Sequence, residues 1–138
     1  MCVAGTRWVQ RELLEKYPRA DLRVYAIWFN MYPGDDRSKW PADLLHDSRV
    51  LHRWDEQKTV GTWFGDRTQT IRTALSPGSA WTDGHILWDA YLLYERDAKW
   101  EAAPTRLVHW GRTIVAGRAT LNQDFERLFA KTPASVRR

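Results

Sequence analysis

The residue best suited to covalent chemistry is Cys2, the single cysteine among the 138 residues. The thiolate is the nucleophilic form of cysteine, and its pKa falls where unpaired N–H groups and the positive end of a helix dipole lie nearby. Cys2 precedes a segment with helical periodicity, so the sequence predicts a thiol at a helix start. A frayed terminal residue of ordinary reactivity is the alternative. One cysteine excludes an internal disulfide and a cysteine-only zinc site.

A second candidate is Asp89, an acid inside the apolar run ILWDAYLLY at residues 86–94. A carboxylate on an apolar strand needs a partner, or it serves as a proton acceptor with a shifted pKa. Pairing with Arg112 on the following predicted strand is one interpretation, and proton transfer beside a thiol is the other.

Other catalytic templates do not occur in the sequence. The segment GTWFG at residues 61–65 lacks the lysine and hydroxyl that hold phosphate and magnesium. There is no Gly-x-Ser-x-Gly motif, no HExxH motif and no CxxC pair. The histidines at 46, 52 and 109 are not spaced as ligands on one helix face. The sequence therefore predicts neither a metal site nor a bound cofactor.

Composition predicts one soluble domain. Apolar residues make up 43% and charged residues 28% of the chain, which is a globular balance. No apolar run reaches the roughly 18 residues of a membrane span, and no secretory signal is recognisable. The nine tryptophans favour a packed aromatic core over a flat binding platform.

The net charge of +4 is concentrated near the C-terminus, where residues 105–138 hold seven basic and two acidic side chains. A nucleic-acid interface needs a basic stripe with interleaved aromatic residues over a face. A short basic end is more typical of a solvated tail, so nucleic-acid binding is not predicted.

Hydrophobic periodicity predicts the elements that must position these residues. In chain order they are a helix over 6–17, a strand at 21–30 that is apolar on both faces, a short helix over 38–45, a weak strand at 49–54, a helix from Asp55 to about Phe64, strands at 86–94 and 106–115, and a helix around 121–129. Residues 66–84 show no period and predict a long surface excursion. This alternation predicts a three-layer α/β domain with a mixed sheet.

The order of elements and the segments WDE at 54–56 and ILWDAYLLYERDAKW at 86–100 resemble the thioredoxin-like fold. The similarity is to the central part of membrane-tethered and periplasmic thioredoxin-like proteins. It implies a thioredoxin-like domain over residues 1–132, with 133–138 as a basic flexible tail. It further implies a thiol–disulfide redox role through Cys2, exercised on a protein thiol or disulfide partner.

The sequence departs from that family in two places. The family's central strand ends in Cys-x-x-Cys, whereas residues 2–5 read CVAG. Cys2 is then either the second cysteine of a pair, or the first with Gly5 in place of its partner. Because a buried parallel strand at 21–30 needs a neighbour that nothing before it supplies, we expect the chain to be an incomplete version of a longer protein. The second departure is at His85, where the family usually has a cis proline.

His85 acquires a candidate role from the same resemblance, which places the residue before the strand at Ile86 near the helix that follows Cys2. A histidine there could act as the base that activates the thiol, or the Cys2–His85 pair could bind copper or zinc, although two ligands make a weak metal site. A partly exposed loop histidine is the alternative. The predicted catalytic set is thus Cys2, His85 and Asp89. The alternative function is a non-catalytic binding module on the same fold, which would use residues 66–84 and the aromatic surface.

Overall fold

The computed structural model describes residues 3–39, 43–67 and 86–130. Its elements are α1 (Val3–Trp8), a π-helical segment (Val9–Glu15), β1 (Val24–Trp28), a 3₁₀ turn (Arg37–Lys39), β2 (Val50–Trp54), α2 (Thr59–Asp66), β3 (Ala90–Tyr94), β4 (Leu107–Arg112) and α3 (Ile114–Ala130). We refer to α1 and the π-helical segment together as the N-terminal helix. The predicted α/β class is confirmed. Within the described ranges no helix is long and apolar enough to span a membrane.

In the described ranges the strands form two two-stranded sheets, where the sequence predicts one mixed sheet. β1 and β2 run parallel, with Val24 opposite Val50, and β3 and β4 run antiparallel, with Leu92 opposite Trp110. The parallel neighbour of β1 is supplied by β2, which follows it in the chain. The expectation that this neighbour must come from an upstream segment is therefore wrong.

The strand predicted to be apolar on both faces is covered on only one of them. Ala26 and Trp28 are 2% and 4% exposed, whereas Tyr25 on the opposite face is 62% exposed. Side chains alternate between the two faces of a strand, so Tyr25 points away from the face that buries Ala26 and Trp28. Its phenol keeps a polar end in contact with water.

Three hydrophobic clusters connect the elements. In the first, Leu14 of the N-terminal helix packs with residues of β1 and β2 and with Leu44 and Leu45. In the second, Leu13 joins Leu121 and Phe125 of α3, against which Tyr91 and Leu93 pack. The third lies on the other side of β3, where Leu87, Trp110 and Phe64 meet. Adjacent residues of one helix thus serve two clusters.

Local chemistry sets the ends of two helices. The Asp55 carboxylate accepts the N–H groups of Thr59 and Val60 in the first turn of α2. The N-cap residue itself is Lys58, so the prediction of Asp55 as the N-cap is wrong by three positions, although its carboxylate does bind the first turn. The last strand ends at Arg112, and α3 begins at Ile114, well before the predicted start near residue 120. Thr113 stabilises that start because its hydroxyl oxygen accepts the N–H of Ala116.

Candidate functional site

Two of the three predicted catalytic residues, Cys2 and His85, lie outside the described residues. So do residues 68–85, which cover most of the predicted surface excursion. The described chain resumes directly after each candidate. Val3 is the first residue of α1, and Ile86 opens the segment that leads into β3.

Asp89 is described, and it lies just before β3 rather than in the middle of a strand. Its φ of 49° is in the left-handed region, which Asp and Asn tolerate better than most residues. It is half-buried and interacts with its surroundings. The predicted pairing of Asp89 with Arg112 stays a prediction, because the Arg112 side chain lies outside the described part of the structure. The structure places Arg112 opposite Ala90, the residue after Asp89.

The carboxyl ends of β1 and β2 bring polar groups together, as expected for parallel strands. The Asp55 N–H donates to the Trp28 carbonyl at 2.7 Å, which closes the ladder where both strands end. Two residues beyond Trp28, the side-chain oxygen of Asn30 is buried and has no hydrogen-bond partner in the described part of the chain. A buried polar atom without a partner is costly in a folded protein, so Asn30 is an unusual feature of this end of the parallel pair.

Trp28 and His52 form a buried polar link across the parallel strands. The indole N–H of Trp28 donates to Nδ1 of His52 at 2.9 Å. Nδ1 is therefore the acceptor, and Nε2 carries the proton that is donated to the Leu45 carbonyl, also at 2.9 Å. Both ring nitrogens of His52 thus have hydrogen-bond partners, and the imidazole stacks on the Trp28 indole.

Arg49 holds the end of the N-terminal helix against the parallel strands. Its guanidinium donates to the carbonyls of Leu14, Tyr17 and Ala20, at distances between 2.7 and 3.2 Å. It also pairs with both carboxylate oxygens of Asp47. Hydrogen bonds from Arg49 lower the pKa of Asp47 to about 2. The last carbonyls of a helix have no partner within the helix, and Arg49 supplies one from elsewhere in the chain.

A second buried polar cluster, which sequence reasoning did not identify, joins β3, β4 and α3. The Tyr91 hydroxyl donates to the Gly117 carbonyl at 3.2 Å and lies 3.0 Å from Nδ1 of His109. Asp124, only 7% exposed, lies 4.0 Å from the same nitrogen and forms an ion pair with Arg127. Burial, with a smaller contribution from the Asp124 charge, raises the pKa of Tyr91 to about 12. Tyr91 therefore stays neutral and acts as a hydrogen-bonding anchor.

A partly exposed aromatic stack lies at the end of α2, with Trp100 on its exposed side. The guanidinium of Arg67 lies 4.1 Å from the ring centre of Trp63, and the rings of Trp63 and Trp100 are 5.0 Å apart. Phe64 meets Trp63 edge-on. Trp100 is 66% exposed, which is unusual for so large an apolar side chain. A stack of this kind can bind planar or apolar groups.

A shallow surface groove of about 440 Å³ lies between the start of β4 and the end of α3. Its walls carry two arginines, Arg106 and Arg127. Arg106 is paired with Glu95 and Asp97, and Arg127 with Asp124, so both charges are already balanced within the chain. The groove therefore offers no strong anion site.

Among residues 3–39, 43–67 and 86–130, no group of three or more histidine, aspartate or glutamate side chains is placed to hold a metal ion. Comparisons with family models, with curated proteins and with solved structures found no match to the chain.

Sequence reasoning missed the aromatic stack and the Tyr91 cluster because their members are far apart in the chain. One signal for the cluster was available in α3. Asp124 stands beside Phe125 and three residues after Leu121, within the apolar stripe of the helix, where an acid needs a partner. For the stack no comparable signal exists, since Trp63 and Trp100 are 37 positions apart.

Proposed function

We propose that the chain is a thioredoxin-like domain with a thiol–disulfide redox role carried by Cys2. The observation that carries this proposal is the helix α1, whose described residues begin at Val3, the residue that follows Cys2 in the sequence. Together with the π-helical segment, α1 forms a continuous helical stretch over residues 3–15. A thiolate in the position before such a stretch is stabilised by the free N–H groups of its first turn.

The element order gives further support. The resemblance implies a helix, a parallel strand, a helix after an Asp, an antiparallel pair and a closing helix. The described elements follow this order, with two parallel strands in place of one before α2. The second and third hydrophobic clusters lie on opposite sides of β3, as a three-layer arrangement requires. Gly5 supports close packing of the first turn, since a Cβ at this position would lie 2.9 Å from Cβ of Ile114.

The proposed exchange begins with attack of the Cys2 thiolate on one sulfur of a disulfide. A new disulfide forms between Cys2 and that sulfur, while the other sulfur leaves as a thiolate. A second thiol, supplied by the partner, then attacks the mixed disulfide and releases Cys2. His85 is proposed as the base that takes the proton from the thiol, and Asp89 as a nearby proton acceptor.

The proposal is tested by the reactivity of Cys2 toward iodoacetamide as a function of pH. We expect a pKa at least one unit below the value of about 8.5 for a free cysteine, and faster formation of a mixed disulfide with oxidised glutathione. The matched control moves the thiol to an exposed turn through Ser48→Cys in a Cys2→Ser background. Equal pKa values at positions 2 and 48 would contradict the proposal.

The roles of the two other residues need separate variants. Asp89→Asn keeps a residue that tolerates the left-handed backbone, and His85→Gln keeps a polar side chain. Each is expected to shift the pH profile of Cys2 alkylation while leaving urea unfolding nearly unchanged. An unaltered profile in either variant would remove that residue from the proposal.

A second candidate function, a non-catalytic binding module, is favoured by the exposure of Trp100 on its stack with Trp63. In this case binding of an identified partner would survive Cys2→Ser and weaken in Trp100→Ala. The redox proposal predicts the opposite pair of results.

A further inference from the structure

One face of the parallel pair β1–β2 is not covered by the N-terminal helix. Ala26 and Trp28 are buried in the cluster that includes Leu14 of that helix, and side chains alternate between the two faces of a strand. Tyr25 therefore lies on the opposite side, where the strand register places it beside Leu51. We call this side the outer face. By the same alternation its members are Arg23, Tyr25, Ile27, Leu51 and Arg53.

The outer face is open toward the amino end of β1. A Cβ at Gly61 would lie 3.5 Å from the Phe29 ring, so α2 packs just beyond the carboxyl end of that strand. Toward the amino end, Tyr25 is 62% exposed and Leu51 is 36% exposed. The tyrosine ring and the aliphatic side chain beside it thus form an accessible apolar surface on two paired strands.

Two arginines flank this surface, and their charges are not compensated. Arg23 and Arg53 are both exposed, and no carboxylate of the described residues forms an ion pair with either of them. The Arg53 guanidinium donates to the His52 carbonyl at 2.9 Å, which leaves its charge in place. Asp21, the acid nearest to Arg23 in the sequence, is paired with Arg96 at 2.9 Å. The outer face therefore carries a net positive charge.

The spacing of these groups fits a ligand that has negative charges on both sides of a flat group. Arg53 lies opposite Ile27, four residues along the strand from Arg23, which corresponds to about 13 Å. Tyr25 lies halfway between the two arginines. A guanidinium binds phosphate through two parallel hydrogen bonds, and an exposed aromatic ring provides a face on which a base stacks.

We propose that the outer face binds single-stranded nucleic acid, with a base stacked on Tyr25 and phosphates bound by Arg23 and Arg53. The chain as a whole is complementary to a polyanion, since its net charge is +4 and its sequence pI is about 9.5. An acidic peptide would pair with the arginines but has no planar group to place on the ring. A duplex holds its bases within its own stack, away from Tyr25.

This interface is not visible in the sequence as a basic stripe. The excess of basic residues lies near the C-terminus, whereas the outer face takes alternate residues from two segments that only the strand register brings together. Basic and aromatic residues interleaved over one face are what a nucleic-acid interface requires. The proposal does not depend on the chemistry of Cys2.

The first test measures the salt dependence of binding in the full chain carrying Cys2→Ser, so that thiol reactivity plays no part. The probe is a fluorescein-labelled oligothymidylate of about ten nucleotides, followed by fluorescence anisotropy. Two phosphate contacts predict a slope of about −1.4 for log affinity against log salt concentration, and Arg23→Ala or Arg53→Ala should each reduce it to about −0.7. The matched control is Arg118→Ala, which removes an exposed arginine of α3 and should leave the slope unchanged. A slope near zero in the parent, or equal slopes in the three arginine variants, would overturn the proposal.

The second test asks whether a base stacks on Tyr25. Tyr25→Phe keeps the ring and should bind the oligothymidylate as the parent does. Tyr25→Thr keeps a strand-forming residue without the ring and should weaken binding about tenfold. The matched control, Tyr32→Thr, removes a tyrosine that is 70% exposed on the loop after β1, and no effect is expected. Equal losses in Tyr25→Thr and Tyr32→Thr would contradict the proposal.

A change of probe tests the same contact without altering the protein. An abasic strand of equal length keeps the phosphates and lacks the bases, so the parent should bind it about tenfold more weakly, and Tyr25→Thr should bind both strands alike. Oligoglutamate of equal charge and the duplex form of the probe should also bind at least tenfold more weakly to the parent. Equal binding of the abasic strand or of the duplex would reduce the site to a contact with phosphates and refute the stacked base. Equal or tighter binding of oligoglutamate would assign the outer face to an acidic protein segment and would equally refute the proposal.

Discussion

The parallel and antiparallel halves of the molecule are stabilised in different ways. β1 and β2 depend on side chains from distant positions, above all Arg49, which donates to three carbonyls at the end of the N-terminal helix and just beyond it. β3 and β4 are held by a hairpin and by one ring, Tyr91, which packs against the backbone of β4 and α3. Parallel strands need a long connection, and the backbone groups at its ends must find hydrogen-bond partners elsewhere in the chain. The two strands of a hairpin provide hydrogen-bond partners for each other. The parallel half is therefore the more vulnerable to loss of a single polar side chain.

The largest effect is expected from removing Arg49. Arg49→Ala leaves the carbonyls of Leu14, Tyr17 and Ala20 without their donor, and we expect a loss of about 3 kcal/mol in the free energy of unfolding. Urea unfolding measures it. The control is Arg53→Ala, which removes an exposed side chain with one bond to its neighbouring carbonyl and should cost under about 1 kcal/mol. Equal costs would remove the contrast between the two halves.

The antiparallel half is tested by filling the space beside Tyr91. A Cβ at Gly117 would lie 2.5 Å from the Tyr91 hydroxyl oxygen, so Gly117→Ala must displace the ring. We expect a loss of about 2 kcal/mol in stability, read from thermal or urea unfolding. In a Tyr91→Ala background the same substitution should cost almost nothing. If Gly117→Ala still lost about 2 kcal/mol of stability in that background, the Tyr91 ring would not be the cause of the loss.

Lowering the pH tests the contrast between the two halves further, because the Arg49–Asp47 ion pair lies in the parallel half. The pKa of Asp47 is about 2 in the folded chain, below the ordinary value of 3.8. Its contribution is therefore present above about pH 4 and is lost as the pH falls toward 2, with a total of about 1–2 kcal/mol. The stability difference between the wild type and Asp47→Asn should shrink over that range. A constant difference would indicate that the charge of Asp47 is not the cause.

The smallest effect is expected at the aromatic stack. Trp100→Ala removes a ring that is 66% exposed, so we expect a loss of less than about 1 kcal/mol in stability. Phe64→Ala on the same stack reaches the third hydrophobic cluster and should cost more. Urea unfolding of both variants separates a surface feature from a structural one. A larger loss in Trp100→Ala would make the stack part of the core.

Elements with strong local signals could be predicted from the sequence. The apolar run before Asn30 predicted a strand, and Asp55 predicted a helix shortly after it. The two apolar runs around Tyr91 and Trp110 predicted an antiparallel pair, and the structure contains all three elements. In each case residue types and spacing act over a few positions, which is the range at which propensity and capping operate. The start of α3 was missed because Ile114 and Val115 favour strands by type, whereas Thr113 begins a helix there.

Long-range features could not be obtained in this way. The separation of the strands into two sheets depends on which edges meet, and no local pattern encodes it. The contact of Arg49 with Leu14 joins positions 35 apart, and the pairing of Tyr91 with His109 depends on the register of the hairpin. The catalytic set stays a prediction, because Cys2 and His85 lie outside the described residues and only Asp89 has a described position.

The π-helical segment has a consequence for how the chain tolerates changes in length. In a π-helix the hydrogen bonds span five residues instead of four, so Val9–Glu15 holds one residue more than an α-helical path would need. Leu13 and Leu14, which lie in this segment, point into different clusters. An α-helical path covers the same length with one residue fewer, so deleting one residue from this segment would rewind the stretch as ordinary α-helix and leave the preceding turn close to its present orientation. Gly5 would then keep its close approach to Ile114, and the first turn would keep its contact with α3.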